Sequence, residues 1–363
     1  MVDVSVVIPS LNEAETIGTC IEKVKTVFNK YELDGEIIVA DNSDDDTPKI
    51  ARSLGAVVVT PDRMGYGYAY LYGFKHAKGE YLVIGDADDT YDFMEIPAML
   101  EPLIKGEADF VIGTRLNGKI ETGAMPWLHR QIGNPLLTWF LNQSFKTSIS
   151  DAHCGFRAIK RDALEKMRLR SQGMEFASEM IIEAARTGLK IREVPVNYFT
   201  RKGGKSKLSS FSDGWRHLRF MLLYAPTYLF DYPSILLFSL GVFLMASALL
   251  NLNIGFIPST NSMIAGSLLT IVGYQVFFFG AFTKMIQGRS LSKSFTLERG
   301  ATMAILIFLV GFVWTVKLVS EFIGNKINPP VEQSIVGFSL MILGLQTFFS
   351  SFMLSIISIS RKR

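Results

Sequence analysis

The sequence predicts an α/β domain with a mostly parallel sheet, followed by an all-α membrane domain of about four transmembrane helices. Three observations predict this organisation. The chain of 363 residues is 48% hydrophobic, which is more apolar than an ordinary soluble protein of this size. Short apolar runs alternate with helical stretches before about residue 215, and long, nearly uncharged runs follow Phe220.

The first domain, residues 1–214, is predicted to alternate strands with helices. The predicted strands are Val4–Ile8, Glu36–Ala40, Ala56–Thr60, Tyr81–Ile84 and Phe110–Gly113. The predicted helices are Glu13–Phe28, Thr47–Leu54, Gly67–His76 and Met94–Ile104. This alternation favours parallel strands with helices on both faces of the sheet. Ligands bind at the carboxyl ends of strands in such sheets, so functional residues are expected directly after the apolar runs.

A short segment, residues 215–232, joins the two domains. It mixes Arg216, His217 and Arg219 with several large apolar residues. This mixture predicts an amphipathic helix that lies in the membrane interface and leads into the first span. A plain linker is the alternative.

The membrane domain, residues 233–363, contains four apolar runs that approach the roughly 20 residues a helix needs to cross a bilayer. The predicted spans cover residues 233–252, 262–284, 300–322 and 335–359. Lys and Arg cluster on alternate connectors, between Lys284 and Arg299 and at Arg361–Arg363. The positive-inside rule therefore predicts an integral membrane protein whose first domain and C-terminus are cytoplasmic. In a prokaryote that membrane is the plasma membrane.

Composition narrows the function classes. The formal net charge is only +3, which gives no reason to expect a nucleic-acid partner. The two cysteines, Cys20 and Cys154, provide no disulfide framework and are interpreted as reduced thiols. Homo-oligomer formation stays open.

Four polar clusters follow predicted strands. They are Pro9–Glu13, Asp41–Thr47, Asp86–Asp89 and Gly113–Arg115. Any one of them could be turn or capping chemistry, as Asp46 or Thr47 would be at a helix start. All four should nevertheless meet at one edge of one sheet, so together they predict a functional site.

The sharpest of these clusters is Asp86-Ala87-Asp88. Carboxylates this close repel one another unless a cation is present. Their oxygens suit a hard divalent ion such as Mg²⁺ or Mn²⁺. Such an ion can bridge a diphosphate and neutralise the charge that develops when the diphosphate leaves.

These motifs, with others further along, carry a family resemblance. The matching segments are Val4–Glu13, Ile37–Thr47, Gly85–Phe93, Asp151–Arg157, Glu193–Pro195 and Arg201–Leu208. Together they resemble the inverting glycosyltransferases of family 2, in the polyprenyl-phosphate branch that includes dolichyl-phosphate mannose and glucose synthases. The resemblance implies a Rossmann-like, GT-A type fold and a Mg²⁺ or Mn²⁺ cofactor. It also implies a nucleotide-sugar donor, a polyprenyl or dolichyl phosphate acceptor and contact with a lipid bilayer.

The resemblance also assigns roles to individual residues. Residues expected to bind the nucleotide are Pro9, Leu11, Glu13, Asp41, Asp86 and Ala87. Asp86 and Asp88 are expected to hold the metal. Residues expected to serve catalysis are Asp88, Arg115, Asp151 and Arg201, although Asp151 has capping as its alternative. The chain departs from the pattern at Thr90, where some relatives have a third metal ligand, and at Ala40, where many have an acid.

The charge of the acceptor phosphate predicts which side chains bind it. A lipid phosphate monoester has a second pKa of about 6, so it is largely dianionic near neutrality and needs no strong general base. It needs cations that hold and orient it, and the candidates are Arg115, Arg130, Arg201 and Lys207. A surface role is the alternative for Arg130, and anionic lipid headgroups are alternative partners for Lys207. Glu179 is a candidate for contacting the sugar hydroxyls, with a helix-surface role as its alternative.

The donor sugar is predicted to be glucose, carried by UDP, because Asp151–Arg157 (DAHCGFR) resembles the pattern of the glucose-transferring branch. GDP-mannose and UDP-N-acetylhexosamine stay open as donors. A processive polysaccharide synthase is disfavoured because the chain lacks a Q-x-x-R-W motif. A non-catalytic membrane scaffold is the alternative from a different class, and the intact Asp86, Asp88 and Arg115 argue against it.

Overall fold

The computed structural model describes residues 3–203, 210–253, 255–288, 296–325 and 328–360. Contacts within the chain divide it into two compact units, Met1–Met221 and Leu222–Arg363.

The first unit is built on a mixed, mostly parallel sheet. Its strands in the described residues are β1 (Val4–Ser10), β2 (Gly35–Asp41), β3 (Val57–Val59), β4 (Tyr81–Ile84), β5 (Phe110–Thr114), β6 (Arg157–Lys160) and β7 (Ile191–Pro195). The strand order is β3-β2-β1-β4-β6-β5-β7. Only β6 is antiparallel to its neighbours β4 and β5. The predicted fold class, a mostly parallel sheet in an α/β domain, is confirmed.

All five predicted strands are present, but β6 and β7 have no counterpart in the sequence prediction. β6 has four residues with a charged residue at each end, so it shows no apolar run or clear alternation. It becomes a strand because long-range pairing with β4 and β5 fills the gap between them. Strand pairing therefore places the DAHCGFR segment beside β4.

Helices cover the sheet. They are α1 (Ile17–Lys30), α2 (Thr47–Ser53), α3 (Tyr66–Phe74), α4 (Ile96–Ile104), α5 (Asn134–Phe145), α6 (Arg161–Lys166), α7 (Phe176–Arg186) and α8 (Ser210–Tyr224). The buried residues of α1 recur at helical spacing, from Ile17 and Cys20 to Phe28, so one face packs on the core. α1 begins four residues after the predicted start at Glu13, whose backbone N–H donates to Thr47 Oγ1 at 2.9 Å. The approach to α1 is therefore a turn that faces the β2–α2 loop.

The second unit contains four helices long and apolar enough to cross a membrane, within the described ranges. They are α9 (Tyr232–Leu249), α10 (Thr260–Ile286), α11 (Leu297–Asn325) and α12 (Val331–Ser360). The prediction of four spans is confirmed. Residues 215–232, predicted as an amphipathic interfacial helix, are helical in two pieces, and their place at a membrane interface stays a prediction. α8 ends at Tyr224 and a separate π-helical turn, Thr227–Asp231, follows Pro226, which has no N–H to continue a helix.

Glycines bring the membrane helices close together in two hairpins. α9 packs on α10 at Gly241, Gly266 and Gly273, and α11 packs on α12 through a similar set of glycines. A Cβ atom at Gly273 would lie 2.5 Å from the backbone nitrogen of Phe238. The two backbones therefore approach each other at a distance that only glycine allows, as is typical of small-residue helix interfaces in membranes.

We predict that Gly273→Ala destabilises the second unit by about 1–3 kcal/mol, because neighbouring backbone must move to admit the methyl group. Gly324→Ala is the matched control, since no atom lies within 4 Å of its added Cβ. Thermal unfolding in detergent should give a lower midpoint for Gly273→Ala only. Equal midpoints for the two variants would contradict close backbone packing at Gly273.

Candidate active site

Two adjoining cavities lie at the carboxyl ends of β1 and β4 in the first unit, each of about 300 Å³. Both are lined by Tyr66, Asp86, Asp88 and Met174, so they meet at the Asp86–Asp88 segment. The first cavity continues along the loop after β1, and the second continues toward the ends of β5 and β6. Parallel strands deliver these loops to one edge of the sheet.

Most residues predicted to bind the nucleotide line the first cavity. They are Pro9, Leu11, Glu13, Asp86 and Ala87. Asp41 is not among the lining residues and is only 3% exposed. Its carboxylate accepts hydrogen bonds from the hydroxyls of Ser10 at 2.6 Å and Ser43 at 2.5 Å. Asp41 therefore fixes Ser10, which does line the cavity, while its predicted contact with a base stays a prediction.

Asp86 lies where the two cavities meet, and its Oδ1 accepts hydrogen bonds from two tyrosine hydroxyls. Tyr66 donates at 2.8 Å and Tyr70 at 3.3 Å. Burial raises the pKa of Asp86 to about 7; the nearby Asp88 carboxylate adds to the rise, and the two tyrosines oppose it. Sequence analysis did not single out these tyrosines, because a run of aromatic residues on α3 looks like ordinary core packing.

Asp88 is held by a threonine and an arginine. The backbone N–H of Thr90 donates to Oδ1 at 3.2 Å and its hydroxyl donates at 2.6 Å. Arg201 lies 3.3 Å from the other oxygen of Asp88 and also pairs with Glu13. Thr90 thus orients Asp88 by hydrogen bonds, a role that differs from that of a third metal ligand.

The donor set fits a hard divalent cation. Asp86 and Asp88 offer carboxylate oxygens, and the raised pKa of Asp86 reflects burial and repulsion that a cation would relieve. Arg201 already pairs with Asp88, so a bound cation would share this carboxylate with a guanidinium. Across the described ranges no group of three or more His, Cys, Asp or Glu residues forms a metal cluster. Asp86 and Asp88 are the carboxylates that line both cavities in this part of the chain.

Asp89 belongs to the predicted polar cluster Asp86–Asp89, but the sequence analysis assigned it no role of its own. It is 1% exposed and adopts a left-handed backbone conformation with φ of 56°. Its carboxylate pairs with Lys23 at 2.7 Å and with Lys202 at 2.6 Å. These lysines are 66 and 113 residues away in sequence, so no local pattern could identify them. Asp89 thereby ties α1 and the segment after β7 to the loop after β4.

Arg115 and Asp151 form a buried ion pair in the wall of the second cavity. The guanidinium donates from Nε to Oδ2 at 2.7 Å and from Nη2 to Oδ1 at 2.9 Å, and the two residues are 7% and 0% exposed. Burial is the largest single influence and would raise the pKa of Asp151, but the charge and hydrogen bonds of Arg115, together with the nearby His153, hold that pKa below its ordinary value. Asp151 is thus the partner of Arg115, and the acceptor role of Arg115 stays a prediction.

Two of the other predicted residues lie outside both cavities, and a third is not among the described residues. Arg130 is exposed on a π-helical turn and does not line either cavity, although the neighbouring His129 lines the second. Lys207 lies outside the described residues. Glu179 is fully buried and accepts the backbone N–H groups of Arg170 and Ser171, so it stabilises a loop instead of lining a cavity.

Comparison with known proteins identifies the family. The pattern of glycosyl transferase family 2 matches residues 5–168, and that of the family 2 C-terminal transmembrane region matches residues 288–358. A low-salt glycan biosynthesis hexosyltransferase of Haloferax volcanii is 44% identical over 363 residues, covering 96% of this chain and 88% of the relative. The chain belongs to glycosyltransferase family 2. It is a membrane-integrated glycosyltransferase.

Two further similarities cover part of the chain. A dolichyl-phosphate hexose transferase of Haloferax volcanii is 32% identical over 212 residues, covering 58% of this chain and 89% of the relative. The structure of glucosyl-3-phosphoglycerate synthase from Mycobacterium tuberculosis, in complex with Mn²⁺, UDP-glucose and phosphoglyceric acid, aligns with a TM-score of 0.51 at 25% identity. That alignment covers 61% of this chain and 79% of the synthase. The expected GT-A type fold is confirmed.

We predict that Arg115→Met lowers the free energy of unfolding by about 3–5 kcal/mol, because it leaves the buried Asp151 carboxylate unpaired. Adding Asp151→Leu should recover much of that loss, since the double variant leaves no buried charge without a partner. Chemical denaturation of the two variants tests this. Equal stability of Arg115→Met and the natural protein would show that the pair has no structural role.

We predict that Asp86→Asn stabilises the metal-free protein by on the order of 1 kcal/mol above pH 7. The pKa of Asp86 is raised in the fold, so rising pH between about 4 and 7 ionises the unfolded chain first and destabilises the natural protein. The advantage of Asn should therefore be full above pH 7 and fade toward pH 4. Melting curves in EDTA across this range measure it, and an advantage independent of pH would contradict the assigned cause.

Proposed function

We propose that the protein transfers a hexosyl group, with UDP-glucose as the favoured donor, to a polyprenyl phosphate of the dolichyl type with inversion. One observation carries this proposal. Two cavities of similar volume meet at Asp86 and Asp88, so a donor in one and an acceptor group in the other would share a boundary at these carboxylates.

The nucleotide diphosphate is assigned to the first cavity. Its lining includes Pro9 and Leu11 from the loop after β1 and Asn42 from the loop after β2. The solved relative that binds Mn²⁺ and UDP-glucose supports both the donor class and a divalent cation. Asp86 and Asp88 would hold Mg²⁺ or Mn²⁺, which when bound would neutralise charge on the departing diphosphate.

The acceptor phosphate is assigned to the second cavity. A phosphate oxygen attacks the anomeric carbon, the bond from that carbon to the nucleotide diphosphate breaks, and the diphosphate takes the electron pair. The dianionic phosphate needs orientation and no base, so the contribution of the chain is positive charge and fixed geometry. Arg115 lines the second cavity, Arg201 lines the first, and Arg130 and Lys207 remain further candidates for this contact.

The membrane placement is part of the same proposal. Residues 1–214 form the catalytic domain on the cytoplasmic side, residues 215–232 lead along the interface, and residues 233–363 anchor the enzyme in the bilayer. The distribution of Lys and Arg supports this orientation. The named dolichyl-phosphate hexose transferase among the relatives supports a lipid-linked acceptor, and a polyprenyl phosphate has its phosphate at the membrane surface.

A donor panel tests the proposal. Purified protein is mixed with Mn²⁺, a short polyprenyl phosphate and one labelled donor: UDP-glucose, GDP-mannose or UDP-N-acetylglucosamine. We expect labelled lipid from UDP-glucose, and none when EDTA replaces the metal. Labelled lipid from GDP-mannose instead would overturn the sugar assignment. No labelled lipid from any donor would overturn the proposed lipid acceptor.

We predict that Asp88→Ala reduces transfer by at least about 100-fold while leaving the melting temperature near that of the natural protein. Asp88 is partly exposed and is held by a local hydrogen bond to Thr90, so its loss should not disturb the core. Asp46→Ala, an exposed acid after β2, is the matched control and should transfer normally. A fully active Asp88→Ala enzyme would remove the metal role from this residue.

A further inference from the structure

A pair of histidines, His153 and His217, lines the second cavity, and the transfer steps above use neither. Their rings contact each other edge to face, with centroids 4.6 Å apart and planes at 84°. His217 on α8 is fixed by a hydrogen bond of 2.9 Å between its Nδ1 and the hydroxyl of Ser178 on α7. Both ring nitrogens of His153 are buried, and neither has a hydrogen-bond partner among the residues that the structure describes.

The backbone on both sides of His153 is held in place by a buried arginine. The guanidinium of Arg157, 1% exposed, donates to the carbonyl oxygen of Ala152 at 2.9 Å and to that of Cys154 at 2.8 Å. It also donates to the carbonyl of Ala177 at 2.7 Å, beside Ser178. One buried cation therefore fixes the loop that carries His153 and the helix that fixes His217. A buried polar side chain that has no hydrogen-bond partner, on a backbone fixed in this way, is typical of a residue preorganised to contact a ligand.

The loop that carries His153 also reaches the metal-site carboxylates. A Cβ atom added at Gly155 would lie 2.8 Å from Oδ2 of Asp86, so the backbone passes directly over that side chain. In the proposed reaction the transferred sugar is attached to the diphosphate that these carboxylates engage. His153 therefore lines the cavity close to where the sugar must sit.

The chemistry of the ring selects a hydroxyl over a phosphate. Burial, followed by the nearby His217, lowers the pKa of His153 well below its ordinary value, so the ring is neutral near neutrality. A neutral imidazole offers one N–H donor and one lone pair. A sugar hydroxyl can satisfy both, because it donates and accepts, whereas a phosphate dianion only accepts and would leave the lone pair unmet.

We propose that His153 binds one hydroxyl of the transferred hexose and so helps to determine which sugar the enzyme accepts. His217 is the positioning residue that holds the His153 ring toward the cavity. This inference rests on the proposed function, since it names the sugar-contacting residue of the same site.

A cycle of variants and donors tests the contact. The donors are the nucleotide-sugar that binds the enzyme most tightly by calorimetry and analogues that each lack one ring or exocyclic hydroxyl. We expect His153→Ala to lose about tenfold in kcat/KM with the intact donor. The natural enzyme should lose a similar factor with one deoxy donor, and His153→Ala should lose nothing further with that donor. His153→Asn, which keeps a donor and an acceptor, should restore part of the loss.

The controls separate this contact from a general structural effect. His76→Ala removes an exposed histidine outside both cavities and should behave as the natural enzyme with every donor. The sugar contact would be overturned if His153→Ala lost the same factor in kcat/KM with every donor. It would also be overturned if only the KM for polyprenyl phosphate rose.

The same cycle is also measured as donor affinity by calorimetry without acceptor, where no transfer is needed. If His153→Ala and the loss of one donor hydroxyl are coupled in donor affinity but no lipid is labelled, the role of His153 stands and the lipid acceptor is overturned. Coupling in neither measurement would overturn the role of His153.

Discussion

The buried pair of Arg115 and Asp151 is the interaction on which the site geometry depends. It joins the end of β5 to the loop before β6, and Glu193 on β7 accepts the backbone N–H groups of Ser150 and Asp151. Two charges removed from water are tolerated only when each satisfies the other. The pair therefore fixes the antiparallel strand beside β4, and with it the wall of the second cavity.

The sequence predicts those parts of the fold that have a local signal. β1, β2 and β4 are apolar runs followed by polar residues, and the first cavity is formed by those strand ends. β6 becomes a strand only through its partners, and the pairs that Asp89 makes with Lys23 and Lys202 join distant segments. Arg115 and Asp151 were predicted as site residues, but their pairing depends on that tertiary structure.

The site combines features that favour chemistry over stability. Asp86 is a carboxylate in a buried position beside a second carboxylate, and its tyrosine partners compensate only partly. His153 holds two buried nitrogens without a partner in the described part of the chain. Such groups cost folding free energy and are retained where a ligand satisfies them. Asp86 and His153 both line cavities that the proposed function assigns to the substrates.

The glycine contacts between the membrane helices have a consequence for ionic strength. Contacts between backbones depend on shape and dispersion, which dissolved ions do not screen. The first unit also carries exposed ion pairs, such as Lys49 with Asp46 and Lys105 with Glu101, whose attraction dissolved ions screen. Concentrated salt should therefore weaken these surface ion pairs and leave the glycine contacts between the membrane helices unchanged.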